Sequence, residues 1–313
     1  FNLMFKTFMG PVEEDASVVY LRPETAQGSY VNFLNVQRTT RQRVPFGIAQ
    51  LGKAFRNEIT PGNFIFRTRE FEQAEMQFFV KPGSDDEWFD YWRDRRLAWH
   101  REIGIRPEKL RFHAHGPGEL AHYAKTAVDV EYEFPFGWQE LEGVHNRTDF
   151  DLSRHQESSG KRLFYIDPGS GERYVPYVVE TAMGVGRAAL AALVDGYREE
   201  EVAGRERVVL GLDPRLAPIK AAVFPLMKKF GQPETARKLL DGLRRARIPA
   251  SYDQTGSIGR RYRRQDEAGT PWCVTVDGQT GEDGSVTVRD RDTLAQDRVG
   301  LDHVARWIRE RLA

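Results

Sequence analysis

The stretch Phe64-Ile65-Phe66-Arg67-Thr68-Arg69-Glu70-Phe71-Glu72-Gln73-Ala74-Glu75-Met76-Gln77-Phe78, entered through Thr60-Pro61-Gly62-Asn63, decides the fold. Pro-Gly-Asn is a strong turn signal, so the Phe-rich residues from Phe46 up to it and from it to Val80 read as two long extended segments. Successive side chains of a strand point to opposite faces. After the turn one face then collects Arg67, Arg69, Phe71, Gln73, Glu75 and Gln77, and the other Phe64, Phe66, Thr68, Glu70, Glu72, Ala74, Met76 and Phe78. Before the turn Gln50, Arg56 and Glu58 share a face. A half-buried surface hairpin alternates in the same way. Here, however, arginines and carboxylates alternate with an aromatic at fixed spacing, and the Phe-rich flanks suit a buried central sheet. Arginines for phosphate, a ring for stacking and carboxylates for amines together suit a nucleotide and an amino group.

Working outward, 313 residues favour two domains, and 40 % apolar with 29 % charged residues is an ordinary globular balance. No apolar run is long enough for a membrane helix. The single cysteine, Cys273, excludes a disulfide framework and a multi-cysteine zinc site, and fits a reducing compartment. It lies in the apolar run Pro271 to Val276 and reads as a packing residue. Formal net charge is zero, yet residues 218–313 hold 18 basic and 13 acidic groups, which leaves the preceding 217 residues acidic. That imbalance points any anionic macromolecular partner to the C-terminal part.

Leu212 to Pro218 reads as a linker stiffened by two prolines, so the domains are expected at 1–211 and 212–313. Beyond the linker strand and helix patterns alternate. Lys220 to Phe224, Trp272 to Val276 and Ser285 to Arg289 read as strands, and Glu234 to Arg247 and Asp297 to Leu312 as helices. Trp88, Phe89, Trp92, Leu97 and Trp99 have the spacing of one helix's core face. The chain opens Phe1-Asn2-Leu3-Met4, an apolar strand pattern, with further residues expected upstream.

Several ordered motifs carry a family resemblance. Phe55-Arg56-Asn57-Glu58, the Thr60 to Asn63 loop and Phe66-Arg67-Thr68-Arg69-Glu70-Phe71 resemble motif 2 of class II aminoacyl-tRNA synthetases. Met183-Gly184-Val185-Gly186-Arg187 resembles motif 3, opening a helix from Arg187 to Val194. Arg22 to Gly28, Phe71-Glu72-Gln73-Ala74-Glu75-Met76, Glu140-Leu141-Glu142-Gly143 and Asn146-Arg147-Thr148-Asp149 narrow the resemblance to the homodimeric type of glycyl-tRNA synthetase. Ile258 to Glu267 is similar to the anticodon-binding domain shared with the prolyl, threonyl and histidyl enzymes. The resemblance implies an α+β fold: a mostly antiparallel catalytic sheet flanked by helices, then a C-terminal α/β anticodon-binding domain. Motif 1, the usual dimer element, is not visible and is expected upstream of Phe1.

The implied reaction joins glycine to the α-phosphate of ATP and then to the 3′ end of tRNA(Gly), in the cytoplasm, with positioning and charge stabilisation carrying the first step. Arg56 and Arg187 are the expected catalytic residues. The resemblance assigns ATP to Arg56, Asn57, Glu58, Phe66, Arg67, Thr68, Arg69, Glu70, Phe71, Glu140, Leu141, Gly184, Val185, Gly186 and Arg187. Within that set Arg56 meets the α-phosphate and the attacking carboxylate, Glu58 the adenine amino group, Phe71 one face of the ring and Arg67 the tail phosphates. Arg187 stacks on the other face or reaches the γ-phosphate. Glycine falls to Glu24, Phe71, Glu72, Gln73, Ala74, Glu75, Arg147, Glu180, Thr181, Ala182, Met183 and Gly184. Glu24, Glu75 and Glu180 form the acidic pocket for its ammonium, balanced by Arg147. Thr181-Ala182 stands where many members of the family have Pro-Ser, so either Thr181 replaces the hydroxyl or the Ala182 methyl restricts the space. Mg²⁺ is implied with ATP, through Glu140 and Glu180.

Arg260, Arg261, Arg263 and Arg264, with Tyr262 among them, are the expected tRNA contacts, since guanidiniums fit phosphate and flat groups stack on unstacked bases. Asp253, Gln265, Asp266 and Glu267 either read base edges or pair with these arginines. His113, His115 and His122 read as surface residues, and no zinc site is expected. Two alternatives stand beside the ligase reading. One is a synthetase-like paralogue acting as a nucleic-acid-binding or regulatory subunit without aminoacylation, although Arg56, Glu58, Phe71 and Arg187 are all present. The other is the same chemistry on another small amino acid, prompted by Ala182.

Overall fold

The computed structural model describes residues 3–14 and 17–313; Phe1 and Asn2, half of the expected opening strand, lie outside them. The chain divides into two units, the first ending at Ala191 and the second running from Ala192 to Ala313. In chain order the first holds β1 (Phe5–Phe8), β2 (Val18–Leu21), α1 (Ala26–Thr40), β3 (Phe46–Phe55), β4 (Glu70–Val80), α2 (Asp85–Glu102), β5 (Leu110–Ala114) and β6 (Thr126–Phe134). It continues with β7 (Gly137–Thr148), α3 (Phe150–Ser159), β8 (Tyr165–Ile166), β9 (Arg173–Tyr174), β10 (Tyr177–Gly184) and α4 (Val185–Gly196), in which the division falls.

Its centre is a six-stranded sheet in the order β3-β4-β10-β7-β6-β5, antiparallel throughout. Period two along β4 buries Gln73, Glu75, Gln77 and Phe79 on one face. Helical spacing puts Ala26, Tyr30 and Phe33 of α1 on that same face, against Phe46, Phe79 and Val178. Trp88, Phe89 and Trp92 of α2 cover the other face with Phe78, Val128, Val144 and Val179, as their spacing predicts.

The hairpin pattern holds from Phe71 onward and fails before it. β4 starts at Glu70, and residues 56–69 are a loop in which Gly62 and Arg67 form an isolated antiparallel bridge. Asn63 and Phe64 both have positive φ (55° each), which ends any extended run. Phe64 therefore points outward, 78 % exposed, while Phe66 turns in and is buried against Phe134 and Phe136.

The second unit holds β11 (Tyr197–Val202), β12 (Arg205–Leu210), β13 (Ala221–Pro225), α5 (Gln232–Arg245), β14 (Ala250–Tyr252), α6 (Ile258–Ala268) and β15 (Trp272–Val276). It ends with α7 (Thr280–Asp283), β16 (Ser285–Asp290), β17 (Gln296–Gly300) and α8 (Val304–Leu312). Its sheet runs β14-β13-β15-β16-β17, parallel among the first three strands and antiparallel beyond. α5 and α8 seal one face through Ala236, Leu240, Leu243, Val304 and Ile308. Ile258 and Tyr262 of α6 pack on the other, over Phe224 and the buried Cys273, whose thiol burial pushes up to about 12.

Two local readings change. The expected helix from Asp297 begins as edge strand β17, because Val299 alternates into the core and Gly300 ends the strand, so helix starts only at Val304. Residues ahead of the linker, read as plain catalytic sequence, form the β11–β12 hairpin turned at Ala203-Gly204, both with positive φ. No described helix is long and apolar enough to cross a membrane.

Candidate active site

β4 and β10 pair so that Gln77 faces Glu180, Glu75 faces Ala182 and Gln73 faces Gly184. Register alone thus places Gln73, Glu75, Glu180, Ala182 and Gly184 on one face. Above that face lies a cavity of about 240 Å³. It also takes in Glu24 from the N-terminal segment, Arg56, Glu58, Phe66, Arg67 and Thr68 from the loop, and Phe71 and Glu72 from the start of β4. Glu140, Gly186 and Arg187 complete the share anticipated from sequence.

One end of the cavity is built from cations over rings. Arg56 stands 5.3 Å from the Phe71 ring centroid and donates through Nε to the Pro23 carbonyl at 3.1 Å. Arg187 stands 4.3 Å from the Phe66 centroid and reaches the Glu140 carboxylate at 3.0 Å. Aromatic faces attract such cations without consuming their donors. Arg67 meets Glu58 only loosely, at 3.5 Å. The opening of α4 is tight: a Cβ on Gly186 would come within 3.0 Å of the Ile65 carbonyl oxygen, so backbone meets backbone there. Glu140 owes its aim to a bulge. The β6–β7 register slips between Val130 and Glu131, so Glu131 pairs with Glu140, and Leu141 is skipped and buried.

The acidic end holds Glu24, Glu75 and Glu180, and the latter two titrate apart. Burial, then the Glu180 charge, raises Glu75 to about 7, although its Oε2 accepts from Thr25 N–H at 3.0 Å and from the Thr25 hydroxyl at 2.6 Å. Burial also works to raise Glu180, but His145 (Nδ1 3.1 Å from Oε1), Arg147 and the Gln77 amide (2.6 Å) outweigh it and hold that carboxyl low. Like charges close together push protonation apart in this way.

Some expected residues stand elsewhere. Arg147 balances the cluster from behind the wall. Nε and Nη2 donate to Asp151 at 2.7 and 2.9 Å, Nη1 donates to Glu180 at 3.0 Å, and the guanidinium lies 3.9 Å from the Tyr123 ring centroid. With every nitrogen engaged it does not line the cavity. Ala74, Thr181 and Met183 alternate to the opposite face, beside Trp92 and Glu142, so Thr181 does not replace the missing hydroxyl and Ala182 presents its methyl instead. Arg69 donates to the Glu58 carbonyl, Glu70 pairs with Lys53, and Asn57 is exposed with its N–H bonded to the Leu3 carbonyl. Val185 begins α4 without lining the cavity. Both Glu180 oxygens already accept from Arg147 or Gln77, so of the two carboxylates expected at a metal Glu140 is the freer. Among the described residues no group of three His, Cys, Asp or Glu side chains is placed to hold a metal.

Five residues lie outside the site expected from sequence: Ile65, His115, Tyr123, Asp129 and His145 line the same cavity. His115 Nε2 lies 2.8 Å from Asp129 Oδ2. Burial and Glu140 raise the Asp129 pKa; burial opposes protonation of His145, but Glu180 and Asp129 raise it overall. His115, taken as a surface residue, is thus part of the wall.

In the second unit α6 splits the basic run. Arg260 is exposed, but Arg261 is buried, donating to the Pro225 carbonyl at 2.6 Å, so it is a packing residue with no surface to offer RNA. Asp253 pairs with Arg264, Gln265 accepts from the Thr270 hydroxyl, and the fully buried Asp266 binds Arg207 and Arg289. Those three are internal partners.

Residues 8–197 match the family described as tRNA synthetase class II core domain (G, H, P, S and T), and residues 220–311 the anticodon binding domain. The chain is 58 % identical over 312 residues to a glycine–tRNA ligase of Caldanaerobacter subterraneus subsp. tengcongensis, an alignment spanning all of this chain and 67 % of that protein. A glycine–tRNA ligase of Treponema denticola is 57 % identical over 305 residues, spanning 96 % of this chain and 67 % of the relative. One of Thermobifida fusca is 51 % identical over 321 residues, spanning all of this chain and 69 % of the relative. The chain thus spans about two thirds of the length of these relatives.

Proposed function

The chain belongs to the glycine–tRNA ligase family of class II aminoacyl-tRNA synthetases, and from that premise we propose that it activates glycine with ATP and charges tRNA(Gly). The observation that carries the reading is one cavity with two arginines over aromatic rings at one end and three carboxylates at the other. Residues 1–211 carry catalysis in this reading and 212–313 anticodon binding.

The glycine carboxylate attacks the α-phosphorus, a C–O–P bond forms, and pyrophosphate leaves with the bond electrons. Arg56 bridges the attacking carboxylate and the α-phosphate, where negative charge gathers in the transition state. Phe71 offers one face to adenine, Glu58 accepts from its amino group, and Arg67 and Arg187 meet the tail phosphates. Arg187 is held by Glu140 until phosphate competes for it. Magnesium arrives with the nucleotide as part of the substrate, and Glu140 is the half-exposed carboxylate able to meet it. The glycine ammonium enters among Glu24, Glu75 and Glu180, and the Ala182 methyl limits the room for a side chain. One methylene is worth only about 1–3 kcal/mol of discrimination, so exclusion must come from close walls. The acyl group then passes to the terminal ribose of tRNA, held through Arg260, Arg263 and Arg264. The family resemblance supports a homodimer and a cytoplasmic location.

Pyrophosphate exchange by the full-length protein with glycine, alanine, serine or proline tests the reading. Stimulation by glycine alone is expected. Stimulation by alanine or serine to a similar degree transfers the chemistry to another amino acid, and stimulation by none favours the non-catalytic paralogue.

A further inference from the structure

The β11–β12 hairpin was read from neither composition nor motif, yet its packing is specific. Arg207 of β12 is buried and bonds through Nε to Asp266 of α6 at 3.1 Å; the same carboxylate takes Arg289 Nη1 at 2.8 Å, and Arg207 Nη2 also donates to the Arg291 carbonyl. Removing one partner of such a buried group is costly, so the hairpin is fixed against α6. Strand alternation puts Arg205, two residues from Arg207, on the same face. One helical turn before Asp266, α6 presents Arg263, and a turn earlier Arg260. The clamp therefore sets these three arginines around one open cleft of about 600 Å³, together with Arg264, Glu206 and Glu267.

Arg264 is neutralised by Asp253. Arg205, Arg260 and Arg263 have no ion-pair partner among the described residues, even though Glu206 and Glu267 stand beside them. Elsewhere in this unit Arg198, Arg207, Arg289, Arg291 and Arg298 are paired, while Arg245 and Arg247 have no ion pair among the described residues but line no cleft; what distinguishes Arg205, Arg260 and Arg263 is that they share one. Unpaired guanidiniums gathered around a groove, with donors directed at no protein acceptor, are what a phosphodiester backbone requires. We propose that this cleft, with Arg205 of the hairpin as its far wall, binds the RNA backbone, so that the RNA surface reaches back across residue 211 and includes a segment preceding the matched anticodon-binding residues. The proposal rests on the tRNA reading above and adds to it a place and a chemical target: phosphate, contacted without regard to base identity.

The test uses the full-length protein with a tRNA(Gly) transcript. R205E and R245E change net charge equally, and Arg245 is an exposed arginine of α5 outside the cleft. R205E is expected to raise the tRNA KM by about tenfold and to lower the slope of log affinity against log salt by about one, as loss of one phosphate contact does. R245E is expected to leave both within about twofold of wild type, a general-field effect only. Glycine-dependent pyrophosphate exchange, which needs no RNA, stays at the wild-type rate in both. Equal effects of R205E and R245E, or none from R205E, overturn the cleft. Failure of the wild-type protein to charge tRNA overturns the underlying ligase reading instead, and is seen before any variant is made.

Discussion

The two sheets of this protein are built on different terms. In the six-stranded sheet the adjacent interior strands β4 and β10 bury Gln73, Glu75, Gln77 and Glu180. In the five-stranded sheet β13 and β15 are buried throughout and carry no charge. Burying a carboxylate costs several kcal/mol unless partners satisfy it. The first sheet meets that cost with Arg147, His145, Thr25 and Gln77, and gains a charged floor on which a substrate can lie. The second keeps its two central strands apolar and places its buried charges around them, where Asp266 of α6 pairs with Arg207 of the hairpin and Arg289 of β16. Buried carboxylates form the floor of a cavity on one sheet, and arginines without ion pairs line a cleft beside the other.

That contrast can be broken experimentally, most sharply at Arg56. Arg56→Ala should cut glycine-dependent exchange by about 10³-fold, the scale of losing a donor to developing charge, with the unfolding midpoint unmoved. A similar loss of stability would make Arg56 a structural residue. Phe224→Ala should do the reverse. This fully buried ring of β13 should cost about 3–5 kcal/mol in chemical denaturation, with exchange measured well below the midpoint unchanged. Loss of exchange in the folded variant would unite what the comparison separates.

The smallest expected effect is a pH dependence. Glu75 is raised from the ordinary 4.5 to about 7, so it is partly protonated near neutrality. An ammonium favours the carboxylate, so the glycine KM should fall as pH rises from 6 to 8, by up to about tenfold. Glu75→Gln should flatten that limb. For folding the sign is opposite. With its native pKa raised, this group's contribution is complete below 4.5 and lost as pH rises through about 7. Denaturation at both pH values, with and without glycine, reads the two trends together; a glycine KM that does not change with pH would remove Glu75 from ammonium binding.

Legibility in the sequence followed the local rules of the backbone. The face from Phe71 to Gln77 was readable because period two holds wherever a strand is regular, and the Trp face of α2 because its period is equally strict. Phe64 and Phe66 fall on different sides because the turn marked by Pro61-Gly62-Asn63 runs on through a left-handed Phe64, a residue type that gives no sign of that conformation. Glu140 was reached by motif, but its aim depends on a bulge that no spacing announces. His115, Tyr123, Asp129 and His145 were missed for a topological reason: only the order β10-β7-β6-β5, with the segment after β5, brings them to the cavity. In α6 four neighbouring arginines read along the sequence as one patch, whereas a helix turns each by about 100° and sends Arg261 into the core.

The contact of Gly186 with the Ile65 carbonyl has one more consequence. Where two main chains touch with no side chain between them, there is no soft spacer to compress or swing aside. Phe66 and Arg187 flank that contact, one on each chain segment. The distance between loop and helix is therefore fixed by main chain alone, and the Arg187 guanidinium rests on the Phe66 ring over a base that does not give.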